Sequence, residues 1–325
     1  MSNKGRNILV IGTSAGGLDA LDKLLVQLNS DLPASIFLVV HLSPENNSVA
    51  FLQRLSRNKA FECKLARDGE SFERGKIYIA PPDYHLLVKQ KTLLVTKGAR
   101  ENRFRPAIDP LFRSAAVSHG PSVIGVVLTG LLDDGTAGLI AIKRCGGVTI
   151  VQDPKDAEYS EMPRSAMNNL KVDYCVPLAG MGNLIEKLCN EAHGKEKNIP
   201  DDVRSEAEIA ERVLSDVAQV NALGSQVPYN CPNCGGVLWE MDQPVEKRYR
   251  CHTGHSYTET ALHIAQTEKI EETLWICLRM LEERKNLMNN MTSLKKLPSY
   301  ADRIKENDSH IERIRDMLLT RDRKV

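Results

Sequence analysis

Short runs rich in β-branched residues alternate with longer segments of helical period from Asn7 to about Asn190, and this alternation constrains the fold most. It is the pattern of an α/β protein, in which each strand is followed by a crossover helix. The predicted strands are Ile8–Ile11, Ile36–Val40, Ile77–Ile79, Leu93–Thr96, Ser122–Leu128, Val148–Val151 and Val172–Val176. The predicted helices are Leu18–Leu28, Val49–Ser56, Pro110–Ser118, Thr136–Arg144, Pro163–Leu170 and Met181–Asn190. The pattern predicts a doubly wound, mainly parallel sheet with helices on both faces.

The charge of the chain is balanced, because 43 Lys and Arg residues face 42 Asp and Glu residues among 325. No overall field therefore favours nucleic acid or an anionic membrane as the partner. Apolar stretches such as Val123–Leu132 are much shorter than the roughly 20 residues of a membrane-spanning helix, and Ile8–Ile11 is too short for a secretory signal. We expect a cytoplasmic protein that does not insert into membranes.

The composition changes after His193, where a segment dense in charge and poor in large apolar residues begins. The change predicts an α/β domain over residues 1–192 and a charged, partly helical linker over residues 193–226. A compact cysteine-bearing segment follows over residues 227–257, and a helical tail, broken near Pro298, over residues 258–325. We expect the α/β domain to fold without the segments that follow it.

A glycine-rich turn, Gly12-Thr13-Ser14-Ala15-Gly16-Gly17, joins the first predicted strand to the first predicted helix. A G-x-S-x-G turn in this context holds a serine on a tight elbow at the sheet edge, where helix amides can face an oxyanion. The alternative interpretation is a phosphate-binding loop, for which the same amides would serve. That alternative is weaker, because the turn matches neither of the two common phosphate-loop patterns. The turn predicts a nucleophilic Ser14.

A serine nucleophile needs a base and an acid that orients the base, and two other predicted strands end on such residues. His41 follows the strand Ile36–Val40, and Asp133-Asp134-Gly135 follows the strand Ser122–Leu128. Each alone fits a structural role, as a hydrogen-bonding histidine or as a helix-capping turn. Their joint placement at strand ends favours a catalytic site.

Several sequence blocks together resemble the catalytic domain of the bacterial chemotaxis protein-glutamate methylesterases, the CheB family. The blocks are Gly12–Gly17, Val40–Pro44, Tyr78–His85, Arg105–Ser114, Leu128–Gly130 with Asp134-Gly135, and Met162–Ala166. They stand in the family's order and cover the chain from about Asn7 to Cys189. The resemblance implies an α/β esterase that needs no cofactor for catalysis.

The resemblance also implies roles for individual residues. Ser14 is the expected nucleophile, His41 the general base and Asp134 the acid that orients it. The backbone at Ala15 and Leu131 falls where the family forms its oxyanion-binding region, and Asp133 becomes a turn residue.

The sequence departs from the family at two places. Family members often have Thr where Ala15 stands and Met-Gly-Asn where Leu131-Leu132-Asp133 stands, so side-chain help to the oxyanion is lost while the backbone amides remain. The first strand begins at Asn7, which leaves no room before it for the receiver domain that covers the active site in chemotaxis versions. We therefore expect a site that is open or is gated by something after residue 192.

Metal-ligand spacing marks the cysteine-bearing segment, which reads Cys231-x2-Cys234-x16-Cys251-x3-His255. Paired short spacings across a loop of this size are typical of tetrahedral zinc, and four protein ligands leave no position for a catalytic water. The segment predicts a structural Zn²⁺ site and resembles an appendage of some stand-alone relatives. A disulfide and a metal-free relic are the alternatives, and His255 is preferred to the adjacent His252 as the fourth ligand.

The leading functional hypothesis is a serine hydrolase that removes methyl esters from glutamyl side chains of chemoreceptor-like proteins and releases methanol. Related enzymes also deamidate glutamines, so this activity is expected as well. The alternatives are a weakly active or non-catalytic signalling scaffold and a phosphate-binding regulatory module. Arg103, Arg105, Arg113 and Arg164 lie in or next to the family-like blocks and are candidates to bind substrate carboxylates.

Overall fold

A computed structural model describes residues 5–41, 48–57, 60–194, 197–212, 217–242, 247–295 and 299–321. Two sequence features, Leu42-Ser43-Pro44 of one family-like block and the helix break at Pro298, lie outside these residues. The chain divides into two compact units, residues 1–262 and residues 263–325. Among the described residues, no helix combines the length and apolar character that crossing a bilayer requires.

A seven-stranded sheet forms the centre of the first unit. Its strands are β1 (Ile8–Thr13), β2 (Ser35–Val40), β3 (Glu62–Leu65), β4 (Lys76–Ile79), β7 (Val123–Val127), β8 (Val148–Gln152) and β9 (Tyr174–Val176). They pair in the order β3-β4-β2-β1-β7-β8-β9, and every pairing is parallel. The strand order reverses direction around β1, which creates the crevice where sites form in such sheets. The predicted parallel α/β sheet is confirmed.

Helices cover both faces of this sheet. They are α1 (Gly17–Leu25), α2 (Ser48–Leu55), α3 (Ile108–His119), α4 (Thr136–Arg144), α5 (Glu161–Asn169) and α6 (Leu178–Asn190). Alternate residues of β1 point to opposite faces, so Leu9 and Ile11 join one apolar core and Val10 joins the other. The first core includes the leucine stripe of α1, and the second includes Phe112 of α3.

Within residues 1–192, two strands are absent from the sequence predictions, β3 and β5 (His85–Val88). The predicted strand Leu93–Thr96 exists as β6, but it pairs antiparallel with β5 in a separate two-stranded sheet. β3 is a four-residue edge strand with only partial burial, so it carries little apolar pattern for a sequence to reveal.

The segment predicted as a linker contains α7 (Asp201–Arg212) and α8 (Val217–Asn221), and α7 is packed rather than free. Its face includes buried Val203, Glu206 and Ile209. After it comes a four-stranded antiparallel sheet of β10 (Gly224–Asn230), β11 (Val237–Met241), β12 (Arg248–Cys251) and β13 (Ser256–Thr258). The structure groups α7 and this sheet with the α/β domain in one compact unit, which differs from the predicted boundary at residue 192.

Buried ion pairs are the physical reason for that difference. Five charged side chains, each at most 2% exposed, meet in what we call the ion cluster: Glu101, Arg113, Glu206, Arg248 and Arg250. The cluster joins a loop and α3 of the α/β domain to α7 and β12, through nitrogen–oxygen distances of 2.7 to 3.2 Å. Charges this deeply buried require their partners, so these elements fold against one another.

The helical tail is formed by α9 (Glu259–Lys295) and α10 (Ser299–Arg321). In the second unit, Leu278 of α9 packs with Ile311 and Leu318 of α10. The predicted helical tail is therefore present.

Candidate active site and metal centre

The side chains predicted at strand ends meet at the carboxyl edge of the seven-stranded sheet. Ser14 follows β1, His41 follows β2, and Asp134 lies in the turn between β7 and α4. His41 Nε2 lies 2.9 Å from Asp134 Oδ2, and the two side chains are 4% and 1% exposed. Ser14 and His41 line one open cavity of about 730 Å³. The structure thus brings the three predicted residues to one site.

Asp134 is fixed by the backbone around it. Its Oδ2 accepts the Ile108 N–H at 2.7 Å, and its Oδ1 accepts the Gly135 N–H at 3.0 Å and the Asp109 N–H at 3.2 Å. Burial acts to raise the pKa of Asp134, but the hydrogen bonds from His41 and from these amides outweigh it and hold the pKa below its ordinary value. Asp134 is therefore an ionised acceptor for the imidazole.

His41 is oriented by this acceptor on one side. With Asp134 accepting from Nε2–H, the lone pair of the ring is on Nδ1. Within the described residues, His41 Nδ1 is buried and has no hydrogen-bond partner. Nδ1 is thus unengaged and can accept a proton, in a residue that lines the same cavity as Ser14.

Two residues that the sequence did not identify hold this pair in place. Phe104 stacks on the imidazole of His41, with ring centroids 3.7 Å apart and planes 9° apart. Asn102 donates from Nδ2 to Asp134 Oδ1 at 3.1 Å and to Asp109 Oδ2 at 2.8 Å. Asn102 has a φ of 49°, which asparagine tolerates better than most residues. Both lie in an irregular loop, where no periodicity signals a role.

Asp109 is a second buried carboxyl beside Asp134. Its Oδ1 accepts the N–H groups of Gly138 at 2.7 Å and Gly135 at 3.0 Å. Burial and the negative charge of Asp134 raise the pKa of Asp109 to about 7. The site therefore favours a single negative charge, on Asp134, the residue that contacts His41.

The turn that carries Ser14 is locked to the loop after β7. Thr13 Oγ1 donates to the Thr129 carbonyl at 2.8 Å, and the Ser14 N–H donates to the same carbonyl at 3.1 Å. Gly130 must lack a side chain here, because a Cβ would lie 2.9 Å from Ser14 Cβ and 2.1 Å from Met162 Sδ. These contacts bring the two predicted oxyanion segments together.

The amides predicted to face the oxyanion are Ala15 N–H and Leu131 N–H. Both residues line the cavity with Ser14, and neither amide donates to an acceptor within the described residues. Leu132, which stands where the family often has glycine, has a φ of 65°, and its N–H donates to Glu161 at 2.8 Å. This left-handed residue gives the turn a conformation that glycine adopts more readily.

Asp133 does not contact His41. Its carbonyl accepts the Thr136 N–H at 3.2 Å, as expected of a turn residue, and its Oδ2 accepts the Thr258 hydroxyl at 2.5 Å. Burial raises the pKa of Asp133 to about 6. Of the two adjacent aspartates, Asp134 alone contacts the imidazole.

Of the four candidate arginines, two line the cavity and two do not. Arg103 and Arg105 line the cavity together with Arg100, and Arg105 also pairs with Asp83 at 2.6 Å. Arg113 belongs to the buried ion cluster, so the expectation that it binds substrate is wrong.

Arg164 is not among the residues that line the cavity. It lies on α5, where its Nε donates to Ser160 Oγ at 3.1 Å.

The predicted metal ligands are close together in the four-stranded sheet. The ligand atoms of Cys231, Cys234, Cys251 and His255 all lie within 4.8 Å of one another. Cys234 Sγ is 3.7 Å from Cys251 Sγ, and Cys251 Sγ is 3.6 Å from His255 Nδ1. Tetrahedral zinc, with bonds of ~2.3 Å to sulfur and ~2.0 Å to nitrogen, requires edges of roughly 3.8 and 3.6 Å. The residues present fit such an ion.

Two tight turns present these ligands. In the first, the Gly235 N–H donates to the Cys231 carbonyl at 2.8 Å, and in the second, the Gly254 N–H donates to the Cys251 carbonyl at 2.9 Å. Hydrogen bonding with the Cys251 thiol lowers the pKa of Cys231 to about 3, which favours a thiolate. The site offers three soft sulfur ligands and one imidazole nitrogen, a set that suits zinc rather than magnesium or calcium.

Comparisons with known proteins agree with this geometry. A sequence model described as CheB methylesterase matches residues 9–185. A relative from Leptospira interrogans is 40% identical over 183 residues, which cover 55% of this chain and 93% of that protein. The crystal structure of the Thermotoga maritima CheB methylesterase catalytic domain is 33% identical, with a TM-score of 0.54, and the match covers 56% of this chain and 98% of that domain.

Two further relatives are longer. The protein-glutamate methylesterase/protein-glutamine glutaminase 2 of Methanosarcina mazei and the protein-glutamate methylesterase/protein-glutamine glutaminase of Pyrococcus horikoshii are each 36% identical to this chain. The matched region spans 52% and 50% of their lengths. The family match, which covers more than half of the chain, and the matched fold together show that this chain belongs to the CheB methylesterase family.

Proposed function

We propose that the chain hydrolyses methyl esters on glutamyl side chains of proteins, with Ser14 as nucleophile, His41 as general base and Asp134 as the acid that orients it. The observation that carries this proposal is the 2.9 Å hydrogen bond between His41 and an ionised Asp134 in the cavity that Ser14 lines. Such a pair is what turns a serine hydroxyl into a nucleophile.

The first half of the reaction acylates the serine. His41 Nδ1 accepts the Ser14 hydroxyl proton as Oγ attacks the ester carbonyl, and Asp134 stabilises the imidazolium that forms. The carbon–oxygen bond to the methoxy group then breaks, and His41 returns the proton to the leaving oxygen. Methanol departs and a glutamyl ester of Ser14 remains.

The second half of the reaction hydrolyses the acyl-enzyme and regenerates the free serine. A water molecule attacks the acyl carbon while His41 accepts one of its protons, and the proton then returns to Ser14 Oγ. The product is a glutamate side chain. With glutamine as substrate the same steps release ammonia, which is the glutaminase activity that the names of the relatives describe.

Negative charge on the attacked carbonyl needs hydrogen-bond donors. The amides of Ala15 and Leu131 are the proposed donors, since both line the cavity and neither is used elsewhere among the described residues. Because these are backbone groups, the departures from the family at Ala15 and Leu131 leave them available.

The substrate is proposed to be a methylated chemoreceptor-like protein in the cytoplasm. The cavity is open and Arg100, Arg103 and Arg105 line it, so it suits an exposed side chain on an acidic protein surface. The names of the relatives describe protein glutamate esters and protein glutamines as the groups acted on, which fits a protein substrate.

A structural Zn²⁺ held by Cys231, Cys234, Cys251 and His255 is proposed as well. The ion would hold two turns of the four-stranded sheet and would supply no catalytic water, because its four positions are filled by protein. Elemental analysis of protein purified without chelator should find about one zinc per chain; far less would favour the metal-free relic.

The test of the proposed reaction is methanol release from methylated receptor membranes, with the wild-type chain beside Ser14→Ala. We expect release by the wild type and a rate at the uncatalysed background for the variant. Equal release by both would reject Ser14, and no release by either would support a non-catalytic scaffold.

A further inference from the structure

The last strand of the metal-binding sheet is hydrogen-bonded to the loop that holds the catalytic residues. We call residues 100–104 the site loop. The Ser256 carbonyl accepts the Asn102 N–H at 2.8 Å, and the Ser256 N–H donates to the Arg100 carbonyl at 3.3 Å. Glu101 and Ser256 form a parallel bridge. The site loop therefore has β13 as its backbone partner.

The same loop contacts both members of the His–Asp pair. Asn102 donates to Asp134, and Phe104 stacks on His41. Asn102 thus links the two, because its backbone N–H donates to the Ser256 carbonyl and its side-chain amide donates to Asp134. A displacement of β13 would move the groups that set the positions of the imidazole and its carboxylate.

A second contact reaches the turn on the other side of the site. Thr258, at the end of β13, donates its hydroxyl to Asp133 Oδ2 at 2.5 Å. Asp133 stands between the proposed oxyanion amide of Leu131 and the carboxylate of Asp134 in the same turn. The metal-binding sheet is therefore tied to two of the segments that build the active site.

Buried ion pairs add to the contact between the metal-binding sheet and the site loop. Arg250 Nη2 lies 3.2 Å from Glu101 of the site loop and 3.2 Å from Glu206 of α7, and all three side chains are buried. Arg250 also donates to the Gly254 carbonyl at 3.0 Å, inside the turn between two metal ligands. The guanidinium thus joins the metal-binding turn directly to the loop.

The metal ligands are adjacent to these contact residues in sequence. Cys251 follows Arg250, and His255 precedes Ser256. The Cys251 N–H donates to the His255 carbonyl at 3.0 Å, so the two ligands close one turn. An ion that fixes Cys251 and His255 fixes the residues on either side of them.

We propose that Arg250, Ser256 and Thr258 are positioning residues for the esterase reaction, and that metal occupancy of the Cys3His group controls the rate at which Ser14 reacts. This inference rests on the proposed function of Ser14 and on the proposed Zn²⁺ site. The metal-binding sheet would act on the site through the hydrogen bonds of Ser256 to the site loop and of Thr258 to Asp133.

The test uses the full chain and a fluorophosphonate probe, which needs no receptor substrate. Labelling is followed to completion, so the amplitude counts folded Ser14 sites and the rate constant reports how well they are activated. The samples are zinc-loaded wild type, wild type stripped with a chelator, the stripped protein after zinc is returned, and Cys234→Ser. Cys234 is an exposed ligand in the turn that does not carry Arg250 or Ser256, and Cys277→Ser is the matched control at an exposed non-ligand cysteine.

We expect the stripped protein and Cys234→Ser to label with full amplitude and a rate constant lower by about tenfold, since small misplacements of catalytic groups have effects of this size or more. Zinc should restore the rate of the stripped wild type but not that of Cys234→Ser, and Cys277→Ser should match the wild type. An unchanged rate constant, or a fall in amplitude alone, would overturn the coupling and leave the sheet a merely stabilising element.

The same labelling experiment distinguishes failure of the proposed function from failure of the coupling to the metal. Absence of labelling in folded, zinc-loaded wild type would reject Ser14 as the nucleophile, and the coupling with it.

A second pair of variants keeps the inference testable if Cys234→Ser does not fold. Thr258→Val should lower the labelling rate constant while Thr258→Ser, which keeps the hydroxyl, restores it; equal rates for the pair would contradict the positioning role of that contact.

Discussion

The carboxyl edge of the seven-stranded sheet and the four-stranded sheet after it hold functional residues by different means. At the first, Ser14, His41 and Asp134 come from three strand ends that two apolar cores fix in register. At the second, buried Arg248 and Arg250 pair with carboxylates of the site loop and α7 beside buried apolar side chains. The first arrangement follows from the hydrophobic pattern of the strands. The second depends on carboxylates that lie more than 40 residues away in sequence, so no repeating pattern in the sequence reveals it.

The largest expected effect tests the first region at its carboxylate. Asp134→Asn places an amide where Oδ1 and Oδ2 now accept hydrogen bonds from His41 and three backbone N–H groups. The imidazole then loses the carboxylate that holds its proton on Nε2 and its lone pair on Nδ1. We therefore expect kcat for methanol release to fall by roughly 10³-fold or more.

Asp133→Asn is the matched control, because it makes the same change one residue away. Its side chain contacts Thr258 and not His41, so the rate should fall far less than for Asp134→Asn. Similar losses for the two variants would mean that the orienting acid has been assigned to the wrong aspartate.

The next effect tests the ion cluster, which joins the two regions. Glu206→Gln leaves Arg113, Arg248 and Arg250 with Glu101 as the remaining carboxylate of the cluster. Breaking a buried ion pair from one side costs on the order of 3–5 kcal/mol, so the urea midpoint should fall accordingly.

Asp202→Asn offers the comparison on the same helix. Asp202 pairs with Arg144 at 2.5 Å, but both side chains are about one-third exposed. A pair of this kind contributes roughly 0–1 kcal/mol, so the midpoint should hardly move. If the two variants were equally stable, the cluster would not be what holds α7 and β12 to the α/β domain.

The contrast also explains what the sequence could predict. The parallel sheet, its helices and the strand ends that carry Ser14, His41 and Asp134 follow from alternation and from glycine-rich turns, which are local signals. The Cys231–His255 ligand set likewise follows from spacing. These features need no knowledge of distant contacts.

The remaining features depend on tertiary contacts. Asn102 and Phe104 lie in an irregular loop, and their roles arise only when that loop meets Asp134 and His41. The predicted linker contains Glu206, whose charge has no distinguishing mark in the sequence; its role arises only when Arg113 of α3 and the two arginines of β12 pack against it. A charged segment is therefore a poor domain boundary when its carboxylates have buried partners.

The pH dependence of stability should differ in sign between a carboxylate of the ion cluster and a buried carboxyl of the active site. Burial opposes ionisation of Glu101, but the charges of Arg113 and Arg250 lower its pKa from 4.5 to about 2. The folded state therefore holds its proton less tightly than the unfolded state, and this stability is present above about pH 4.5 and is lost as the pH falls towards 2. The loss is on the order of 3 kcal/mol.

Asp109 has the opposite sign, since its raised pKa of about 7 makes its contribution weaken as the pH rises from 3.8 through 7. Urea unfolding between pH 2.5 and 8 measures both limbs. Glu101→Gln should make the acid limb shallower and leave the neutral limb in place; part of the acid limb should remain, because the same arginines also lower the pKa of Glu206. An unchanged acid limb would mean that Glu101 does not contribute to it.

The smallest expected effect is at the contact where the site loop meets the base. Phe104→Leu keeps an apolar side chain in the site loop but removes the flat ring that stacks on His41 at 3.7 Å. Stacking of this kind contributes about 0.5–1.5 kcal/mol beyond buried area, so kcat should fall by roughly two- to tenfold with little change in KM. Phe104→Tyr, which keeps the ring, should restore most of the rate. If leucine and tyrosine gave the same kcat as phenylalanine, the imidazole would be fixed by Asp134 alone, and the site loop would act only through Asn102.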